Sequence, residues 1–360
     1  MKKRGLALLL AGCLALSGCT SMLEREFVSV EPHREDLTAA GDPSTLLAQN
    51  YQELLSAILY LVTQHAETGT IRLSNYPGDV SADLTAACLE VVQKDPLGAY
   101  AVDYIKHDVS RIVSYYEATL TLAYRHTAEE VGKIVSVTGS GAIKDELRET
   151  LSHFATGATL RISYFAEDES YIHDLVALAY YSVPQAAFGL PEVTMSLYPE
   201  SGIQRIVELE LAYPLGEEEL LQKQDTLMAR VEELLPKGTP ATAREVYDLL
   251  VAQVSPTQEA GFSTPYAALT EGKADAEGFA LTYKLLCDQA GLSCTVVQGS
   301  ETSSHPFWNI VTTDQGSRHV DCSQADRFGL TDLQLTELGG YAWDSSYPLC
   351  RDGREMQISS

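Results

Sequence analysis

A histidine and an aspartate, His305 and Asp321, are the residues of this 360-residue chain best placed to do chemistry. His305 opens the run His305-Pro306-Phe307-Trp308-Asn309-Ile310-Val311, and Asp321 closes Arg318-His319-Val320-Asp321; both runs read as strands. An imidazole oriented by a carboxylate is a general base, able to activate a thiol or hydroxyl set beside it. Upstream, Phe279, Tyr283, Leu286, Cys287 and Ala290 recur at helical spacing. A cysteine at the start of such a helix would have its thiolate favoured by the helix dipole. The residue there is Ala276, whose methyl attacks nothing. Cys287 lies eleven residues further on, roughly 16 Å away at 1.5 Å per residue, too far to stand in. Cys322, Ser303 and Ser304 flank the pair and are displaced-nucleophile candidates if one of them reaches the imidazole.

Taken together, Gly272-Lys273-Ala274-Asp275-Ala276-Glu277-Gly278-Phe279-Ala280, then Trp308-Asn309-Ile310-Val311, then Val320-Asp321 resemble the core of the bacterial transglutaminase-like superfamily of papain-like cysteine transferases and proteases. The tail from Phe328 to Cys350 is similar to the end of secreted bacterial members, so the likeness covers about residues 240–350. It implies a Cys–His–Asp site at Ala276, His305 and Asp321, with the Cys replaced by Ala. In the family the His stands two residues before the Trp. Here Pro306 has that place and His305 is three before. A one-residue slip on a strand turns a side chain to the opposite face, and only a local irregularity restores it. Catalysis is therefore not expected from these degenerate positions, and neither a cofactor nor a metal is expected. Lys273, Trp308 and Asn309 are expected to border a peptide-binding groove, with Trp308 and Asn309 also serving the core and strand pairing.

The elements that must position these residues follow from periodicity. The sequence predicts a helix over 242–254, a loop over 255–271, the central helix over 276–290, and strands at 294–299, 307–313 and 317–321. Such a helix on an antiparallel sheet is the papain-like arrangement. Before it lies a duplication. Thr70-Ile71-Arg72-Leu73-Ser74 matches Thr159-Leu160-Arg161-Ile162-Ser163, and Leu120-Thr121-Leu122-Ala123-Tyr124 matches Leu209-Glu210-Leu211-Ala212-Tyr213, both at an offset of 89 residues. Each copy reads strand–helix–strand–strand, which gives an α/β sandwich with helices on one face of a mainly antiparallel sheet. Asp42-Pro43-Ser44 reads as a helix start, with Leu46 and Leu47 inside the helix. The expected fold class is α+β. The expected divisions are a signal peptide over 1–18, a tether over 19–41, a duplicated region over 42–236 (copies 42–130 and 131–236) and the transglutaminase-like domain over 237–360.

Location is read from the other end. Basic Met1-Lys2-Lys3-Arg4, a short apolar run and Leu16-Ser17-Gly18-Cys19 fit a bacterial lipoprotein signal. Cys19 would carry lipid, palmitate included, and hold an extracytoplasmic chain to the membrane of the cell envelope. With 25 Lys+Arg against 50 Asp+Glu, the net charge of −25 argues against nucleic acid as a partner. Five further cysteines, Cys88, Cys287, Cys294, Cys322 and Cys350, leave at least one thiol unpaired. Cys88 and Cys287 read as small core hydrophobes, and a disulfide among the other three stays open. Three functional readings stand: an inactive binding module for a peptide, protein or cell-wall ligand; an enzyme on peptide or cell-wall amide bonds using a non-standard nucleophile; and a structural envelope protein. The resemblance favours the first.

Overall fold

The computed structural model describes residues 38–351, apart from 40, 41, 166–168, 240 and 315. The signal, Cys19 and nearly all of the expected tether lie outside these residues. The described chain is a mixed α+β protein.

The first unit comprises β1 (Thr38–Ala39), β2 (Asp42–Ala48), α1 (Tyr51–Thr63), β3 (Thr68–Ser74), α2 (Val80–Lys94), α3 (Pro96–Ala101), β4 (Val102–Ile112) and β5 (Tyr115–Tyr124). Its sheet runs β1-β2-β3-β5-β4, with β2 and β3 parallel and the other pairs antiparallel. Here the expected helix start at Asp42-Pro43-Ser44 is corrected: these residues open β2, and α1 begins only at Tyr51. The cap is Asn50, whose side chain accepts the Glu53 N–H at 3.0 Å. Over so few residues, Leu46 and Leu47 satisfy either period. Pairing of Thr45–Ala48 with Thr70–Leu73 of β3 decides for the strand.

The second unit comprises α4 (Ala128–Gly132), β6 (Val135–Val137), α5 (Gly139–Ser152), β7 (Gly157–Ile162), α6 (Glu169–Tyr180), β8 (Glu192–Tyr198) and β9 (Arg205–Ala212). Its sheet order, β6-β7-β9-β8, repeats β2-β3-β5-β4 with the same single parallel pair. The units meet where Tyr100 of α3 packs edge-on to Tyr198 of β8 at 5.3 Å and Ile206 of β9 enters the core of the first unit.

The rest is α7 (Glu217–Leu234), α8 (Ala243–Gln253), β10 (Ser255–Pro256), α9 (Pro265–Glu271), β11 (Lys273–Ala274), α10 (Ala276–Gln289), β12 (Ser293–Gln298), β13 (Phe307–Thr313), β14 (Gly316–Val320), β15 (Phe328–Leu330) and α11 (Asp332–Leu338). Strands β12 to β15 form an antiparallel meander. Helix α10 is buried over most of its length, and Tyr283 ties it to α8 by donating to the Ala243 carbonyl at 2.9 Å. One continuous apolar core runs from Leu147 and Leu160 of the second unit to Phe279 and Val311 of the last. The expected loop over 255–271 is corrected at its end, where α9 forms. Thr264 caps that helix by accepting the Ala267 N–H at 3.2 Å, and Pro265 fits its first turn. All five described cysteines are buried free thiols, so Cys294, Cys322 and Cys350 are not bridged. Among the described residues, no helix is long and apolar enough to cross a membrane.

Candidate functional site

The start of α10 is pinned by the loop that passes over it. Asp275 is the cap: its side chain accepts the Gly278 N–H at 2.8 Å and the Ser263 hydroxyl, and its own N–H donates to Phe262 O at 3.1 Å. A Cβ on Gly278 would collide with that same Phe262 carbonyl, which is why the position needs glycine. Ala276 is thus the first residue of the helix, half-buried at the positive end of its dipole. The dipole there favours an anion, and the residue present carries only a methyl.

His305 lies two residues before the first residue of β13, so the strand's alternation does not govern it. Gly299 N–H donates to Pro306 O at 2.8 Å, and Ser303 Oγ donates to His305 O at 2.7 Å, fixing an irregular corner. Through that corner the imidazole lies flat on Tyr341, centroids 3.9 Å apart and planes 5° from parallel. Its Nδ1 is 3.8 Å from Asp321 Oδ2. The extra residue between His and Trp therefore does not turn His305 away from Asp321. Yet 3.8 Å is an ion-pair separation, longer than a hydrogen bond. Asp321 has spent its oxygens elsewhere. Oδ2 accepts Tyr341 OH at 2.8 Å; Oδ1 accepts Ser323 N–H at 2.9 Å and Ser323 Oγ at 2.6 Å. Burial and the Asp321 charge push the Tyr341 phenol up, so it stays a donor. Gly340, at φ +81°, brings its backbone over the ring: a Cβ there would stand 3.5 Å from His305 Nε2.

A second histidine–aspartate pair, missed in the sequence, sits beneath the first. Trp308 Nε1 donates to His319 Nδ1 at 3.0 Å, which puts the imidazole proton on Nε2, facing Asp332 Oδ1 at 2.9 Å. Asp332 Oδ2 accepts the Cys350 N–H at 3.1 Å. His319 is 1% exposed, and burial lowers its pKa. His319, Asp332 and Cys350 offer ligand atoms within 4.8 Å of one another. His319 and Asp332 are committed to these hydrogen bonds, the Cys350 thiol donates to Pro348 O at 3.7 Å, and burial pushes that thiol up to about 12. The one signal in the sequence was the Thr331-x-x-Gln334 capping box, which sets Asp332 in the first turn of α11.

The other expected residues do not converge on an open groove. Trp308 is 1% exposed and spends its N–H on His319. Asn309 is fully buried; its Nδ2 donates to Ala280 O at 2.9 Å, stitching β13 to α10. Both support the site from behind. Lys273 is exposed and pairs with Glu259 at 3.6 Å. The displaced-nucleophile candidates are also occupied. Cys322 is buried in the apolar core with its thiol pushed well up, Ser303 Oγ serves the His305 carbonyl, and Ser304 Oγ donates to Gly340 O at 3.1 Å.

Sequence reasoning also missed Glu277. It follows Ala276, is half-buried, and accepts the Tyr181 hydroxyl at 3.0 Å on Oε1. Tyr181 follows α6 of the second unit, and its ring lies 5.4 Å from Phe307 at the start of β13. The duplicated region thus supplies a wall to the site, a contact no linear spacing announces. Burial raises the Glu277 pKa to about 7, against the opposing pull of the Tyr181 bond.

No family model and no curated protein matches this chain. Solved structures that resemble it include a TGase, 12% identical over 67% of this chain and 74% of that one, at a TM-score of 0.27. A candidate cysteine protease from Cytophaga hutchinsonii is 13% identical over 42% of this chain and 65% of that one, at 0.25. Menin, in the structure that reveals its binding site for the Mixed Lineage Leukemia (MLL) protein, is 16% identical over 30% of this chain, at 0.25. This chain spans only 28% of the menin chain's length.

Proposed function

We propose that this chain is a transglutaminase-like binding module without acyl-transfer chemistry, carried on an exported lipoprotein that is anchored through Cys19. The observation that carries the reading is that the helix start carries a methyl while the Asp321 oxygens near His305 are spent on Tyr341 and Ser323. A carboxylate held near an imidazole has no catalytic use when the atom it should activate is a CH₃. The alternative nucleophiles give no relief, since Cys322 is buried and Ser303 and Ser304 are bound to backbone carbonyls. The ligand is a peptide or protein segment laid beside Ala276, on the side walled by Tyr181 and Phe307.

The test is to offer the mature chain a glutaminyl peptide with an amine acceptor, and separately a cell-wall peptide. The expected result is neither transfer nor hydrolysis above the rate without protein. Ala276→Cys checks the same reading from the other side. A cysteine at this helix start, under the helix dipole, should react with iodoacetamide at pH 6 at least about tenfold faster than an unperturbed thiol. Turnover by the unaltered chain sinks the proposal. Replacing Cys19 by Ser should move the protein from the membrane fraction to the soluble one.

A further inference from the structure

The site beside Ala276 contains a carboxyl group with no cation to balance it. Glu277 Oε1 accepts the Tyr181 hydroxyl at 3.0 Å. The ionisable groups facing Glu277 are Asp275 of its own helix cap and Tyr180 and Tyr181 of the second unit, none of them positive. Among the described residues, no Lys, Arg or His forms an ion pair with it. Its position in the first turn of α10 favours the charged form through the helix dipole. Burial wins nonetheless: the pKa rises to about 7, which measures how poorly the charge is compensated. A half-buried carboxylate without a counter-charge is costly, and a ligand that brings one is favoured.

The surroundings select the kind of ligand. The Tyr181 ring lies 5.2 Å from Tyr180 and 5.4 Å from Phe307. Tyr347, whose hydroxyl accepts the Gln298 N–H at 3.2 Å, stands near enough to Tyr181 to affect its ionisation. Tyr181, Phe307 and Tyr347 are all half-buried rather than sealed. Aromatic faces beside one carboxylate attract an organic cation through the ring quadrupole and repel an anion.

We propose that Glu277, with Tyr181, Phe307 and Tyr347, forms a subsite for a cationic side chain, an ammonium or guanidinium carried by the bound peptide. The inference rests on the binding-module reading and names its ligand class. The cation's alkyl stem lies against Phe307 and Tyr181, and its head takes the free Glu277 oxygen. Tyr181, whose hydroxyl is already spent on Oε1, fixes the carboxylate plane.

The experiment uses the mature chain with three probes: n-butylammonium, n-butylguanidinium and neutral n-butanol. Binding is followed at pH 8 and pH 5.5 by chemical shifts, together with the titration of the Glu277 carboxyl by ¹³C. At pH 8 at least one cation should bind about tenfold more tightly than butanol. At pH 5.5, where Glu277 is protonated, the preference should vanish. The cation should also lower the Glu277 midpoint by about one pH unit. Glu277→Gln keeps an oxygen for Tyr181 and should bind cation and alcohol alike at both pH values. Butanol binding as well as either cation at pH 8, or an unmoved Glu277 titration in the wild-type chain, overturns the proposal without recourse to any variant. An inert chain in the acyl-transfer assay that ignores both cations keeps the binding-module reading and removes this subsite. A chain that turns over a glutaminyl peptide removes the former, whatever the cations do.

Discussion

Two histidine–aspartate pairs lie around one small sheet, and they differ in nearly every physical respect. His305 and Asp321 are 3.8 Å apart, with the imidazole 26% exposed and the carboxylate occupied by Tyr341 and Ser323. His319 and Asp332 are 2.9 Å apart, with the imidazole 1% exposed and both ring nitrogens engaged. By geometry alone the second pair looks the more catalytic. It is sealed, so no substrate reaches it, and its tautomer is fixed by the Trp308 indole. The first pair is more open, its imidazole lying flat on Tyr341 at a corner before β13. Short hydrogen bonds report packing, and access reports function.

The comparison breaks most visibly at His319. His319→Ala strands the buried Trp308 N–H and Asp332 carboxylate and opens a cavity. It should cost about 3–5 kcal/mol in denaturant unfolding. A loss below about 1 kcal/mol would show that the buried network is ornamental.

Glu277 falls between the two pairs, half-buried with a single partner, and its signature is a pH slope. Its folded pKa of about 7 lies above the ordinary 4.5, so between these values the folded state holds more protons than the unfolded one. Stability should fall as pH rises through that window, by on the order of 1–3 kcal/mol, and Glu277→Gln should flatten this limb. His319 acts in the opposite sense. Its folded pKa is lowered from 6.5, so the unfolded state takes up protons first and stability is lost as pH falls below that value. Unfolding curves of wild type and Glu277→Gln from pH 4 to 8 separate the two, since only the Glu277 limb should disappear.

The smallest effect belongs to the open pair. His305→Ala removes a 3.8 Å contact to Asp321, whose oxygens keep Tyr341 and Ser323, together with one ring stack, and should cost under about 1 kcal/mol. A loss as large as that of His319→Ala would make the two pairs alike and His305 a structural residue.

Much of this protein was legible in the chain. The 89-residue offset carries β3 onto β7 and β5 onto β9, and the matched segments are paired strands in both sheets. The central helix and the strand over 307–313 fall where period and glycine placed them. These are local signals, written in residues that are neighbours in sequence. The segment at Asp42 was misread because six or so residues of Leu, Ala and Thr satisfy both periods, and only the partner strand at Thr70 decides between them. The absence of a thiol at position 276 was likewise plain, since no fold can give a methyl a nucleophile. What only the tertiary structure decided are the contacts between residues far apart in the chain. They are the corner that returns His305 to Asp321, the Trp308–His319–Asp332 network, and Tyr181 reaching across from the second unit to Glu277. No period announces these contacts, and the Thr331-x-x-Gln334 box places Asp332 without naming its partner. Each exists because two surfaces were buried against one another, and burial also set which charged groups have partners there and which have none.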